Sequence, residues 1–408
     1  RRRAKLFLTL SLVFSLGLLG YCKYADFFLS GFNALTGLHI PLLRVALPIG
    51  ISFYTFQALS YTIDVYQGKI KATHDIVAFF AYISFFPQLV AGPIERATHL
   101  LPQFLRPRNF DCDLALDGIR QMLWGFFKKV VVADNCALFV NGVFENYQTL
   151  DGSTLFLGAF FFTIQIYGDF SGYSDIAIGC ARLFGIDLMQ NFKYPYFSRD
   201  IAEFWRRWHI SLTTWFRDYI YIPLGGSRAG KWKSFRNTLV IFLVSGFWHG
   251  ANWTFVAWGA YHALLFLPLL LLGQNRRYRD SVAENSFLPS VKELTQMGAT
   301  FLLVLLGWIL FRSEDISQAA VYLERMFNVS LFSAPQLVGL GFGQLLLKKC
   351  FFFTALMFVV EWIGRKQAHG LMIEDLSLPV RYVIYTVLLI IIYGFDASNP
   401  QGFIYFQF

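Results

Sequence analysis

Long apolar runs separated by short polar stretches extend along the whole chain. Nine such runs stand out: Leu6–Tyr21, Leu42–Ile63, Ile76–Val90, Leu155–Ile178, Thr238–Trp258, Phe255–Leu272, Met297–Phe311, Phe351–Ile363 and Val380–Tyr393. A helix that crosses the hydrocarbon core needs about 20 largely apolar residues, and several of these runs are shorter or share residues. The pattern therefore predicts roughly nine to eleven membrane segments, some of them broken, tilted or re-entrant.

The fold class follows from what a lipid bilayer permits. Only helices and closed barrels satisfy every backbone hydrogen bond within the hydrocarbon, and the alternation of apolar and polar residues typical of a barrel strand is absent. No long linker rich in Ser, Pro or Gly divides the chain. We therefore predict an all-α integral membrane protein, in which residues 1–408 form one polytopic helical bundle with re-entrant or interfacial helices.

Composition and charge support this prediction. The 408 residues are 56% hydrophobic and 19% aromatic, with 15% charged and a mean hydropathy of +0.48, whereas a soluble domain carries about 25% charged residues. The net charge of +9 would suit nucleic acid, but basic residues in short loops are how a membrane protein fixes its cytoplasmic side. These residues are Arg1, Arg2, Arg3, Lys5, Lys69, Lys71, Arg276, Arg277 and Arg279. We predict a chain surrounded by membrane lipid, with no nucleic-acid partner and with the residues before Leu6 in the cytoplasm.

One polar stretch, Phe197–Arg228, differs from a plain loop. Its apolar residues recur at helical spacing, namely Ile201, Phe204, Trp205, Trp208, Leu212, Trp215, Phe216 and Tyr219, which predicts a single helix. The five charges between Glu203 and Asp218 are too costly for a lipid-exposed span, so we expect this helix at the interface or along an aqueous cavity. His209 lies between the apolar stripe and the basic face. The alternative interpretation is a surface helix whose arginines meet lipid headgroups.

A second candidate is His249, in the stretch Gly246-Phe-Trp-His-Gly-Ala-Asn-Trp253. Glycine on both sides lets another backbone or a substrate approach closely. Histidine titrates nearest to neutral pH, which suits it to proton transfer. A packing role is the alternative, but ionisable groups at membrane depth are costly and usually functional. We expect the nearby His262 to be structural.

Polar residues also interrupt the apolar stretch Phe162–Gly185. They are Gln165, Tyr167, Asp169, Ser171, Tyr173 and Asp175. Two carboxylates at the bilayer centre are costly, so we expect Asp169 and Asp175 to face a polar interior with Arg206 or Arg207 as partners. Hydrogen bonding between helices is the alternative interpretation.

Together, five ordered motifs resemble the membrane-bound O-acyltransferase family, in its bacterial alginate O-acetyltransferase-like branch. They are SFFPQLVAGPIER (84–96), QIYGDFSGYSDIAIG (165–179), FWRRWHISLTTWFRDYIYIPLGG (204–226), SGFWHGANWTFVAWGAYH (245–262) and FIYFQF (403–408). Each motif alone is modest, but they follow one another over most of the chain. The resemblance makes His249 the family's invariant histidine and His209 a second catalytic-site position, which is His, Asn or Asp in different members. Family members carry extra spans before the point that matches Arg1, so we expect N-terminal spans to be missing here.

The resemblance also implies a function. Such proteins surround a central acyl-transfer channel in the bacterial inner membrane, with an acyl thioester arriving from the cytoplasm and a hydroxyl acceptor on the extracytoplasmic side. In the polysaccharide branch an extracytoplasmic esterase-like acetyltransferase takes the acetyl group onward. The expected activity is O-acetylation of an exported polysaccharide such as alginate or cellulose. The expected donor is acetyl-CoA or an acyl-carrier thioester, whose phosphates Arg206, Arg207 and Arg217 would attract, and no bound cofactor is expected.

Acyl transfer assigns a role to each candidate residue. We expect His249 to act as general base on the acceptor hydroxyl, a contribution typically of roughly 10²–10⁴-fold. His209, Asn252 or the indole of Trp248 would donate to the oxyanion, each donor being worth roughly 10²–10³-fold. The other candidates for the channel lining are Trp205, Arg206, Gln165, Tyr167, Asp169 and Asp175.

Other functions predict different signals. No carboxylate or cysteine stands at recognised ligand spacing from the two histidines, and HExxH is absent, so no metal site is predicted. A proton-coupled transporter or channel is the alternative from another class, because polar groups inside helices mark pathways in either case. D-alanyl or other acyl transfer to a cell-wall polymer is the alternative within the enzyme class.

Overall fold

The computed structural model describes residues 2–228, 230–337, 343–396 and 402–404; of the sequence motifs above, Arg1 and residues 405–408 lie outside these ranges. The described residues form sixteen α-helices and no strand, which confirms the all-α class. The helices are α1 Arg2–Leu19, α2 Ala25–Thr36, α3 Ile51–Tyr66, α4 Ile76–Ser84, α5 Ala97–Leu105, α6 Cys112–Phe126, α7 Asp134–Glu145, α8 Gly152–Leu183, α9 Ile201–Arg207, α10 Ile210–Phe216, α11 Lys231–His249, α12 Trp253–Leu271, α13 Val291–Arg312, α14 Ile316–Met326, α15 Gln344–Ile363 and α16 Leu378–Asp396. Three π-helical turns, Gly20–Tyr24, Phe127–Ala133 and Arg217–Tyr221, follow α1, α6 and α10.

Four helices in the described ranges are long and apolar enough to cross a membrane. They are the continuous helix Arg2–Thr36, which contains α1 and α2, together with α12, α13 and α16. This is fewer than the roughly nine to eleven segments predicted. Some of the remaining apolar runs fold into short helices; for example, α4 has 9 residues, and the run that starts at Leu42 becomes helical only at Ile51. Others become α8, α11 and α15, which have 32, 19 and 20 residues but carry more polar or charged side chains.

The 32-residue helix α8 is buried over most of its length and lies in the core. The Asp151 carboxylate caps its first turn by accepting from the backbone N–H of Thr154 at 3.1 Å. Glycine allows α6 to approach α8 closely, since a Cβ added at Gly179 would lie 2.3 Å from the backbone oxygen of Gly118. Small residues at such crossings are how membrane helices pack without large side chains between them.

Helices α11 and α12 form a tightly packed hairpin that carries the candidate histidine. A Cβ added at Gly246 of α11 would lie 2.1 Å from the backbone oxygen of Phe255, and one at Gly259 of α12 would lie 2.3 Å from that of Phe242. The two backbones are therefore in direct contact. This contact fixes the last turn of α11, where His249 is the final residue.

The single helix predicted across residues 201–219 is wrong. His209 takes a left-handed φ of 43°, a conformation that cannot continue an α-helix, so α9 ends before it and α10 begins directly after it. The charged face of α9 is also less exposed than expected. Glu203 is 1% exposed and pairs with Arg199 at 3.0 Å and Arg207 at 2.7 Å.

Candidate active site

His249 is held in an aromatic pocket at the end of α11. Gly250 follows with an extended backbone, and a Cβ there would lie 2.1 Å from the nearest aromatic ring, so only glycine fits. The His249 ring packs edge-on against Trp248, Trp258 and Phe311, with centroid distances of 5.0, 5.3 and 5.3 Å. At 7% exposure, His249 is almost fully removed from solvent.

His209 lies at the kink between α9 and α10, where its contacts define its tautomer. Its Nδ1 lies 3.1 Å from Oδ1 of Asn191. The same oxygen accepts from the hydroxyl of Ser211 at 2.9 Å and from its backbone N–H at 3.4 Å. Because Oδ1 is thus an acceptor, Nδ1 of the neutral imidazole carries the proton and Nε2 presents a lone pair. Nε2 is buried and has no hydrogen-bond partner among the described residues.

The fold brings the two histidines together. Their ring centroids lie 6.4 Å apart, and that of His209 lies 6.2 Å from the ring of Trp248. The tautomer matters for the role predicted for His209, since a ring protonated at Nδ1 donates to an oxyanion only after it gains a second proton. In its neutral form His209 is a proton acceptor.

Unpartnered indole N–H groups surround the same pocket. Three are buried without a hydrogen-bond partner in the part of the chain that the structure describes: those of Trp205, Trp248 and Trp258. An unpaired buried N–H costs roughly 1–3 kcal/mol, so each such group calls for an explanation. Two of them belong to Trp248 and Trp258, whose rings contact that of His249.

Two cavities meet beside this pocket. The smaller, of about 170 Å³, is lined by residues that include Trp248, His249 and Lys23. The larger, of about 500 Å³, is lined by residues that include Lys23, Asn252 and Arg312. Lys23 belongs to both linings, so it marks the place where the two cavities adjoin.

Asn252 and Trp205 occupy different parts of the site. The Asn252 side chain caps α12 by accepting from the backbone N–H of Thr254 at 3.1 Å, and its amide donates to the backbone oxygen of Glu314 at 2.6 Å. The amide oxygen and one of the two amide N–H groups are therefore engaged. We favour Trp248 over Asn252 as the oxyanion donor, because its buried indole N–H has no partner among the described residues. Trp205 belongs to the aromatic cluster, with its ring 5.6 Å from that of Trp258.

The arginines of α9 hold the basic loop that follows α12. Arg206 donates to the backbone oxygens of Asn275, at 2.6 Å, and Tyr278. Arg207 donates to the backbone oxygen of Asp280 at 3.0 Å. These contacts fix the loop beside α9, and an attraction between Arg206 and donor phosphates stays a prediction.

The partners predicted for the two carboxylates of α8 are wrong. Lys129 lies 2.7 Å from Asp169, and Lys128 lies 2.6 Å from Asp175. Both lysines belong to the π-helical turn after α6, which runs alongside α8, whereas the arginines of α9 are engaged with the distant loop. The other Asp169 oxygen accepts from the backbone N–H of Ile404 at 2.7 Å, so the described part of the last sequence motif also contacts α8.

Tyr167 and Gln165 precede Asp169 on the same helix, within about one turn. The Tyr167 hydroxyl donates to Glu361 at 2.9 Å, and Lys128 lies 3.9 Å from the same carboxylate. Gln165 is 3% exposed, and its Oε1 has no hydrogen-bond partner among the described residues. Asp169, Asp175 and Tyr167 of α8 therefore form a charge network with the two lysines and Glu361, whereas Gln165 does not take part in it.

Two residues of the site were not predicted from the sequence. Lys23 donates to the backbone oxygens of Trp248 and His249, and Asn191 fixes the ring of His209. A signal for Lys23 exists, because it is a lysine within a long apolar helix, and such residues are usually functional. Nothing around Asn191 in the sequence distinguishes it.

The fold and the pocket define an all-helical membrane protein with a buried histidine pair in an aromatic site. Residues 66–306 match the family model for MBOAT, the membrane-bound O-acyltransferase family, and the chain belongs to this family, as the sequence motifs predicted. It is similar to the probable alginate O-acetylase AlgI of Pseudomonas aeruginosa, with 41% identity over 85% of this chain and 66% of the relative. The same-named protein of Pseudomonas syringae pv. tomato is 42% identical over 80% and 61%.

A relative with a different acceptor in its name is also similar. The peptidoglycan O-acetyltransferase of Helicobacter pylori is 36% identical over 80% of this chain and 65% of the relative. In these three comparisons the matched region spans between 61% and 66% of the relative's length.

Proposed function

We propose that this chain moves an acetyl group from a cytoplasmic thioester donor to a hydroxyl acceptor, for O-acetylation of an exported polysaccharide such as alginate or cellulose. The observation that carries the proposal is the buried pair of His209 and His249, whose ring centroids are 6.4 Å apart. The indole N–H of Trp248 adjoins this pair without a partner in the described residues. The names of two relatives, a probable alginate O-acetylase and a peptidoglycan O-acetyltransferase, support acetyl transfer.

In the proposed reaction the acceptor hydroxyl attacks the thioester carbonyl. His249 takes the hydroxyl proton as the new C–O bond forms, because its ring lines the cavity from which an acceptor can approach. The Trp248 indole donates to the oxyanion. The C–S bond then breaks, and the proton passes to the thiolate, which leaves as a thiol. His209 can also hold this proton, because its Nε2 is an acceptor.

Several features of the proposal rest on the family rather than on the site. They are a location in the bacterial inner membrane, acetyl-CoA or an acyl-carrier thioester as donor, no bound cofactor, and an extracytoplasmic esterase-like acetyltransferase as partner. Membership of an acyltransferase family disfavours a proton-coupled transporter. D-alanyl transfer is the second candidate, since a teichoic acid D-alanyltransferase of Bacillus subtilis is 28% identical over 65% of this chain.

The test is thioester turnover by the full chain in nanodiscs. Acetyl-CoA, an acetylated carrier protein and a D-alanylated carrier protein are compared as donors, with an alginate oligosaccharide as acceptor, by release of free thiol and by labelled product. His249→Gln should lower turnover by roughly 10²–10⁴-fold, whereas His74→Gln, at an exposed loop histidine, should not change it. Size exclusion confirms that both variants fold.

Two results would contradict the proposal. Equal turnover by His249→Gln and wild type would remove His249 from the chemical step. A wild-type chain that turns over none of the three thioesters would contradict acyl transfer by this chain, and a preference for the D-alanyl carrier would favour the second candidate.

A further inference from the structure

Lys23 reaches from the first long helix to the end of α11. It lies in the π-helical turn Gly20–Tyr24, within the apolar helix 2–36. Its Nζ donates to the backbone oxygens of Trp248 at 2.6 Å and His249 at 3.0 Å, and to Oγ of Ser52 at 3.4 Å. More than 220 residues of sequence separate Lys23 from these carbonyls, so this is a tertiary contact and not a local turn.

The end of α11 needs such a contact. The last carbonyls of any helix have no partner within the helix. Here they belong to the buried residues Trp248 and His249, so they need a partner from elsewhere. Gly250 continues in an extended conformation and does not close the helix with a backbone hydrogen bond. A cation at a helix C-terminus is favourable because the carbonyl dipoles point toward it.

Two consecutive residues of the π turn share this task. The hydroxyl of Tyr24 donates to the backbone oxygen of Phe247 at 3.1 Å, one residue before the carbonyls that Lys23 binds. The Tyr24 ring also stacks on that of Phe247, with 4.3 Å between centroids. π-Helical turns inside α-helices occur frequently at functional sites, and this one aims a charged side chain at the residue proposed as the base.

We propose that Lys23 is a positioning residue for His249. Its ammonium group ties the last two carbonyls of α11 to the first helix and so fixes the direction of the His249 imidazole beside the cavities that Lys23 also lines. Lys23 acts through His249 and forms no bond with the acetyl group. This inference rests on the proposed function of His249 and extends it to a residue on another helix.

The decisive variant is Lys23→Met, which keeps the apolar stem and removes the charge and the donors. A small displacement of a catalytic group costs roughly 10²-fold, so kcat should fall by about 10- to 100-fold while the KM for the thioester stays at the wild-type value. Lys5→Met is the matched control, because it makes the same change at an exposed lysine of the same long helix. Its kcat should stay close to that of wild type.

Lys23→Arg separates charge from packing. An arginine retains the charge and the donors, so it should recover a substantial part of the activity lost in Lys23→Met. If Lys23→Met does not fold, Lys23→Gln takes its place in this comparison. A wild-type kcat in Lys23→Met, or equal losses in the Met and Arg variants, would overturn the inference.

Failure of the Lys23 inference can be told apart from failure of the proposed function. If wild type is active and His249→Gln is not, a normal Lys23→Met overturns only the positioning role. If wild type turns over no thioester, modification of His249 by diethylpyrocarbonate, mapped by mass spectrometry, still tests the contact. Lys23→Met should then change the modification rate at His249, and an unchanged rate would refute the inference.

Discussion

Gly246→Ala tests whether the contact between α11 and α12 sets the site. The new Cβ would lie 2.1 Å from the backbone oxygen of Phe255, whereas real Cβ atoms essentially never approach closer than 3.0 Å. The obstacle is backbone, so the two helices must separate by at least about 0.9 Å at this point. Overpacking of this kind costs about 1–3 kcal/mol. Replacing a helical glycine by alanine returns about 1 kcal/mol, so we expect a net loss of stability.

The same separation of α11 from α12 also displaces the proposed catalytic base. His249 lies less than one helical turn after Gly246, so its ring moves with the displaced backbone. A misplacement of about 1 Å is worth roughly 10²-fold in rate, and we expect kcat to fall by about that factor. The assay combines thermal unfolding in detergent, followed by the fluorescence of the 10 tryptophans, with thioester turnover of the folded fraction.

Gly298→Ala is the matched control for this prediction. Gly298 is also a helical glycine, within α13, but no described atom outside its own helix backbone lies within 4 Å of its added Cβ. This variant should be as stable as wild type or about 1 kcal/mol more stable, with unchanged turnover. If Gly246→Ala behaved like Gly298→Ala, close contact between the helices would not be what holds His249.

Three further perturbations address other parts of the molecule. Lys128→Met leaves the buried Glu361 and the partly buried Asp175 without their cation. It should lower the free energy of unfolding in detergent by about 3–5 kcal/mol, and a loss below about 1 kcal/mol would show that the network is not charged. Hydrogen bonds to Asp187 and Glu95 raise the pKa of His99 to about 10. The stability that the charged imidazole adds to the folded state is therefore fully present below the unfolded pKa of about 6.5. It is lost as the pH rises through about 10. Because the His99 side chain is 39% exposed, screening limits the effect to about 1 kcal/mol, and the stability difference between wild type and His99→Gln should shrink between those pH values; a constant difference would refute this. Asn191→Ala removes the acceptor that fixes the neighbouring imidazole and should lower kcat by about 10- to 100-fold with little change in KM, whereas an unchanged kcat would make the tautomer irrelevant.

The helical class was predictable because the bilayer leaves a chain few options. The runs that became α12, α13 and α16 are strongly apolar, and the sequence pattern alone identified each of them as a membrane segment. The kink at His209 was not predictable, since the helical spacing of apolar residues continues across it. One φ angle interrupts the helix there, and it is accompanied by hydrogen bonds to Asn191, a residue that precedes the stretch.

The ion pairs between core helices could not be predicted from the sequence for a related reason. Nothing near Asp169 or Asp175 shows that their cations come from the π turn after α6, because ion pairs across helices depend on which faces meet. The same holds for Lys23 and the end of α11. The two histidines were identifiable because their motifs are local, but the residues that orient them come from elsewhere in the chain.

The left-handed backbone at His209 also restricts which residues evolution can place there. With φ at 43°, a β-branched or bulky side chain is strongly disfavoured, whereas His, Asn and Asp are several-fold enriched in this region among residues other than glycine. These are the same three residue types that the family resemblance assigns to this position. The backbone conformation therefore limits substitution at this position independently of catalysis. A residue must tolerate the left-handed conformation before its chemistry can matter.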